Sequence, residues 1–185
     1  MLRPTARSVA WLRSFFLILL CSLSLGACMV SEKPLLDADS RVLPFTPPIT
    51  IEVYDRKSPS EPWRKQDKAV TLIADEQLGV REQGDSDRVS YTFHPLQPGR
   101  FLVQASFKNG GHFAYGVLEV QNGEGLLHHM DCASIDQAAF KKAGGVVTGQ
   151  SHQECQLNGL ADPLGFLKSL AMQPTGSQQR YVPVR

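Results

Sequence analysis

The sequence predicts an α+β domain in which an antiparallel β-meander is covered by two C-terminal helices. Three observations lead to that class. Apolar residues alternate with polar ones in several short runs, glycine-containing turns separate the runs, and two capped amphipathic stretches follow them. Of 185 residues, 42% are hydrophobic and 20% charged, the composition of a globular chain rather than a disordered one. With 19 Lys and Arg against 18 Asp and Glu, there is no basic field of the kind that binds nucleic acid.

The chain opens on a targeting segment. Arg3, Arg7 and Arg13 flank or precede an apolar run from Phe15 to Leu25. Crossing about 30 Å of hydrocarbon takes about 20 residues, so this run is short for a membrane span and fits the apolar core of a secretory signal peptide. It ends in Leu25-Gly26-Ala27-Cys28. That tetrapeptide resembles the lipobox of bacterial lipoproteins, and the resemblance covers the N-terminus alone. It implies removal of a signal peptide spanning 1–27 and lipidation of Cys28 with fatty acyl chains such as palmitate, which would anchor the protein to the membrane. Cys21 fits poorly, because Leu19 and Leu20 stand where small residues are required. In the lipoproteins it resembles, Asp after the lipidated cysteine favours the inner membrane. Met29 stands here, which implies the outer membrane, facing the periplasm. Removing 1–27 takes three arginines and no acid, so 16 basic side chains remain against 18 acidic ones.

Residues 28–48 contain Pro34, Pro44, Pro47 and Pro48 and no periodicity. They read as the lipidated cysteine and a tether, which as a flexible coil would reach about 25 Å. A single domain is expected over 49–173. Ile49, Ile51 and Val53 alternate with Thr50, Glu52 and Tyr54 as a half-buried strand, and Lys57 to Lys68 form a polar loop carrying Trp63. Val70 to Ala74 form a second strand, and Val89, Tyr91 and Phe93 mark a third. Phe101, Val103, Ala105 and Phe107 line one face of the next, then Phe113, Tyr115 and Val117, then Leu126 to Cys132. Pro98-Gly99, Asn109-Gly110-Gly111 and Asn122-Gly123 are the intervening turns.

Ser134-Ile135-Asp136-Gln137 has the form of a capping box, with Lys141 and Lys142 in the last turn and Gly144-Gly145 as a stop. Asp162 caps a second helix with Pro163 at its first position, and Leu164, Leu167, Leu170 and Ala171 form its stripe. Both helices are expected to pack on one sheet face that includes Val89, Tyr91, Phe93, Phe101, Val103, Phe107, Phe113 and Tyr115. Residues 174–185 read as a flexible tail.

Cys132 and Cys155 remain after processing, and two cysteines in one small envelope domain are expected to pair. Closing a loop of about 24 residues contributes about 3.4 kcal/mol by chain-entropy arguments. Each ends a His-x-acid-Cys tetrapeptide, His129 to Cys132 and His152 to Cys155. If the two segments lay parallel and in register, His129, Asp131, His152 and Glu154 would converge as zinc or copper ligands. Antiparallel, they would separate into polar residues on a solvated face.

Catalytic motifs fail at informative positions. Gln153 stands where a nucleophile elbow around Ser151 needs its second glycine, and Gln150 where a P-loop beginning at Gly144 needs its lysine. His128 and His129 belong to no HExxH pattern. The expected function is a noncatalytic, lipid-anchored envelope module that contacts a protein or another envelope component, without a cofactor. The alternative is a periplasmic hydrolase or metal-binding protein using His128, His129, His152 and the neighbouring acids. A concave pocket holding those groups would favour the alternative.

Overall fold

In a computed structural model, residues 29–75, 79–84, 89–107, 111–149, 153–173 and 177–184 are described. The strands are β1 (Met29–Ser31), β2 (Ile49–Arg56), β3 (Arg64–Lys65), β4 (Val70–Asp75), β5 (Gly79–Glu82), β6 (Val89–Gln97), β7 (Arg100–Phe107), β8 (Phe113–Gln121), β9 (Glu124–His129), β10 (Val146–Thr148), β11 (Glu154–Gln156) and β12 (Gln178–Pro183). The helices are α1 (Gln137–Lys142) and α2 (Pro163–Ala171).

The sheet closes. Strands β2, β4, β5, β6, β7, β8, β9 and β12 pair antiparallel in that order, and β12 returns to β2. The architecture is an eight-stranded up-and-down barrel, which corrects the expected open meander with one face under two helices. The meander connections are present, but an open sheet would leave β2 and β9 as bare edges, and closure pairs both. The β8–β9 hairpin turns on Asn122 and Gly123, both at positive φ, 55° and 80°. A two-residue turn of that hand matches the twist of the flanking strands.

Closure by β12 is also where the expected flexible tail fails. Gln178–Pro183 pairs with β2 along its whole length and with β9 from Gln178 to Tyr181. Pro183 has no N–H to give, and it lies beyond the last β9 pairing, so the ladder loses nothing there. The tether expectation fails as well. Met29 is fully buried, and β1 inserts between β8 and β11. The following segment is held to the barrel wall by buried polar groups: Ser31 Oγ and Tyr115 Oη share a 2.7 Å hydrogen bond, and Leu35 N–H donates to Gln104 Oε1 at 3.1 Å.

Strand parity distributes the core between two regions. Tyr91, Phe93, Phe101 and Val103 face the barrel interior with Val80, Leu118 and Leu127. Phe113, Tyr115 and Val117 face outward, because register pairs Tyr115 with Gln104 and Val117 with Leu102 on the other side of β7. They therefore do not share a face with Phe101 and Val103. Leu102, Tyr115 and Val117 are covered from outside by an outer layer that includes Phe140 and Leu167, with Leu157 and the two helices around them. Asp162 caps α2 through a 2.8 Å bond from Gly165 N–H, with Pro163 at the first turn. The cap of α1 differs from the capping-box expectation. Asp136 accepts from the Ala138 and Ala139 N–H groups, while Ser134 Oγ donates to the Asp131 carbonyl in a preceding 3-10 turn.

Candidate functional site: the barrel interior

At eight strands, a barrel interior either fills with side chains or retains room for one small ligand. This one retains a cavity of about 250 Å³. Its walls are apolar: Ile51 and Val53 from β2, Val80 from β5, Phe93 from β6, Val103 from β7 and Leu118 from β8. Phe45 lines it too, from the segment ahead of β2. Val42 N–H donates to the Phe93 carbonyl at 2.9 Å, and the Phe45 and Phe93 rings meet edge to face at 5.7 Å, which pins that segment to the wall. Gly125 makes room inside the seam. A Cβ there would lie 3.1 Å from Leu118 Cδ1 and 3.4 Å from Tyr181 Cδ2, so its absence lets the Tyr181 ring enter the barrel.

Polar groups gather at the end formed by β2, β12 and β9. Asp55 follows Ile51 and Val53 on the inward face and pairs in register with Gln179. Gln66 Nε2 donates to Asp55 Oδ2 at 2.8 Å, and Tyr181 Oη donates to Gln179 Oε1 at 2.8 Å. Asp55 Oδ1 is buried and finds no hydrogen-bond partner among the described residues. Burial pushes the Tyr181 phenol well above its ordinary range, with Tyr91 and Asp55 adding to the effect, so its hydroxyl stays protonated. Burial also lowers the His129 imidazole, against the pull of Asp131, and keeps it neutral near pH 7. Gln66, Gln179 and Tyr181 line the cavity itself, so at this end a ligand would meet two amides and a phenol, and Glu82 and Glu124 line it elsewhere.

The described members of the candidate metal set, His129, Asp131 and Glu154, are not brought together. Strand β1 lies between the two His-x-acid-Cys segments: Met29 N–H donates to the Met130 carbonyl at 3.0 Å, while Met29 stands opposite Cys155. His129 faces the barrel interior, Asp131 accepts from Ser177 N–H at 3.0 Å, and Glu154 pairs with Thr148 across β10. His152 lies outside the described residues, as does Cys28. Among the described residues no group of three or more His, Cys, Asp or Glu is placed to hold a metal. Cys132 and Cys155 do form the expected disulfide, with Cα atoms 5.3 Å apart. It joins the end of the barrel meander to β11 and so fastens the outer layer to the wall.

Two of the histidines named for a hydrolase, His128 and His129, are also separated. His128 and His129 point to opposite faces of β9. His128 lies outside, where its Nδ1 meets Gln178 Nε2 at 2.9 Å and its Nε2 stands 3.7 Å from Glu119, itself paired with Arg100 at 2.9 Å.

One hydroxyl–imidazole pair escaped sequence reading, because its members are 54 residues apart. Ser40 Oγ lies 2.8 Å from His94 Nδ1. A nucleophilic dyad needs a base that titrates near the working pH and a third group to orient it. Burial, reinforced by Arg41, lowers His94 to about 4, and its Nε2 is buried without a hydrogen-bond partner among the described residues. The pair reads as a contact holding the Ala38–Ser40 turn against β6.

His94 makes stability depend on acid. Unfolded, it titrates near 6.5; folded, near 4. Between those values the unfolded chain binds more protons, so stability is intact above pH 6.5 and falls as pH drops towards 4. His128 and His129 act in the same direction, while Asp131, raised by burial, opposes them. Each pKa unit is worth about 1.4 kcal/mol, and with allowance for solvent screening His94 should account for about 2 kcal/mol of the loss. Urea midpoints at pH 7 and 4.5 should show a smaller drop for His94→Gln than for the wild type. Equal drops would remove His94 from the account.

The chain matches no family model, no curated protein and no solved structure.

Proposed function

We propose that the protein is a noncatalytic, lipid-anchored binding module of the bacterial cell envelope, and that its barrel holds one compact, largely apolar molecule. The observation that carries the binding reading is the cavity of about 250 Å³, walled mainly by aliphatic and aromatic side chains, with two amides and a phenol at one end and the carboxylates of Glu82 and Glu124 elsewhere in the lining. Binding pockets have this composition: apolar walls for affinity and a few polar groups for orientation. A dry apolar cavity of about 150 Å³ accepts benzene, so this volume suits a ligand of about ten non-hydrogen atoms.

Anchoring rests on the Leu25-Gly26-Ala27-Cys28 pattern. Because the next residue, Met29, is buried and strand-paired, acyl chains on Cys28 would be joined to the barrel without an intervening tether. Cys28→Ala should abolish acylation and move the protein out of the membrane fraction of its host. Membrane-retained protein with an unmodified Cys28 by intact mass would contradict the anchor.

The binding reading is tested by calorimetric titration of the chain from residue 29 with 2-phenylethanol, an uncharged probe of suitable size. Saturable one-to-one binding is expected. Val103→Trp, which places an indole in the cavity, should weaken it at least tenfold while circular dichroism shows the fold intact. Binding unaffected by that substitution would place the ligand elsewhere.

A further inference from the structure

We infer that the barrel cavity selects a compact organic amine over an isosteric carboxylate, with Asp55 and its amide partners at the polar end receiving the ammonium group. The inference rests on the reading of the cavity as a binding site and adds the charge of its ligand.

Three observations carry it. First, no Lys or Arg lines the cavity among the described residues, whereas Glu82 and Glu124 do. Glu124 is engaged by Arg180 at 2.7 Å, and Glu82 has a partner of its own, so both serve as background field rather than as the receiving group. An anion entering this space would meet no cation to replace its lost hydration, and an unpaired buried charge is strongly disfavoured.

Second, Asp55 sits on the inward face beyond Val53 with one oxygen committed to Gln66 and the other, Oδ1, buried and without a partner among the described residues. A buried carboxylate oxygen without a donor carries a desolvation cost that an incoming N–H would relieve. The groups facing it from neighbouring strands are Gln179 and Tyr181 of β12, His129 of β9 and, opposite it in register on β3, Arg64. Gln179 and Tyr181 are uncharged and the imidazole is neutral, while the Arg64 side chain is exposed, does not line the cavity and makes no ion pair with Asp55 among the described residues. Gln66, which bonds Asp55, and Gln179, which pairs with it in register, line the cavity where Asp55 itself does not, and each has a carbonyl oxygen able to accept from an ammonium group.

Third, the walls suit a cation at short range. Tyr91, Tyr181, Phe93 and Phe45 line the cavity, and aromatic faces attract ammonium groups. The resulting ligand is an apolar, preferably aromatic, body of about ten non-hydrogen atoms carrying a single amine.

Three probes of matched size separate the charge states: 2-phenylethylamine, 2-phenylethanol and phenylacetate, titrated at pH 7 into the chain from residue 29. The amine is expected to bind at least tenfold more tightly than phenylacetate, with the alcohol between them. Asp55→Asn should bring the amine down to the affinity of the alcohol and leave the alcohol unchanged, and Asp55→Glu should keep the amine preference. Phenylacetate binding as tightly as the amine would overturn the inference while leaving the cavity reading standing, because the alcohol still binds. An amine preference that survives Asp55→Asn would likewise overturn the role of Asp55. If Asp55→Asn does not fold, the wild-type ratio of amine to carboxylate decides. Failure of all three probes overturns the cavity reading itself, and this inference with it.

Discussion

A chain ending at Thr175 should fail to fold. It would lack β12, whose six residues bridge β2 and β9 and close the barrel. Without them two antiparallel strands become open edges, Tyr181 leaves the interior, and Leu127 and Val53 are exposed to water along the gap. Burial of one large apolar side chain contributes about 1.5–3 kcal/mol, and a domain is stable by only about 5–15 kcal/mol, so losing a closing strand exceeds what the rest can hold. The truncated chain should bind a hydrophobic dye and show no cooperative melting transition. A cooperative melt within a few degrees of the full domain would mean that the barrel does not depend on its last strand.

Phe140→Ala should be the most damaging single substitution in the outer layer, at about 3–5 kcal/mol. The ring is 2% exposed, packs at 5.3 Å from Phe166 of α2, and lies over Gly145 so closely that a Cβ there would fall 2.3 Å from its edge. On that side Gly145 has no side chain to fill the vacated volume. Denaturant titration should show the midpoint falling with little change in slope. A loss below 1 kcal/mol would indicate that the layer re-packs, and would make it a loose cover rather than a second core.

The first of these expectations falls where the sequence was hardest to read. Barrel strands β2, β6 and β7 were legible because each alternates: Ile51 and Val53, Tyr91 and Phe93, Phe101 and Val103 keep period two between turn residues, whereas the four-residue β5 carries too short a pattern and was not expected. The turns at Gly99 and Asn122-Gly123 and the Asp162–Pro163 helix start were legible because each depends on local chemistry. Closure was not. Gln178 to Pro183 carries three polar side chains and a terminal proline, so its strand character comes from two neighbours far away in sequence. Strand β8 misled for a different reason. Phe113, Tyr115 and Val117 on one face and Leu118 and Val120 on the other make a nearly continuous apolar run, and period alone cannot say which set faces which core. The three-residue β1 is too short to carry any period, which is why a buried strand read as a tether.

The candidate site was legible only in fragments. His129 was singled out for its place beside Asp131 and Cys132, yet its neighbours inside the barrel are Gln179 and Asp55, which no local motif connects to it. Asp55 itself was hidden in the outward-looking sequence Glu52-Val53-Tyr54-Asp55. Its inward position becomes visible once Ile51 and Val53 are read as inner residues and the alternation is carried two residues further, a signal that was present and not used.

The central claim is that the barrel interior is a place where a small molecule binds. Methyl-resolved NMR of the domain, titrated with 2-phenylethanol, tests it most directly. Methyl signals of Val80, Val103 and Leu118, which line the cavity, should shift together and saturate, while those of the exposed Val146 and Val184 stay in place. Interior methyls that remain unmoved up to the solubility limit of the probe would contradict the account.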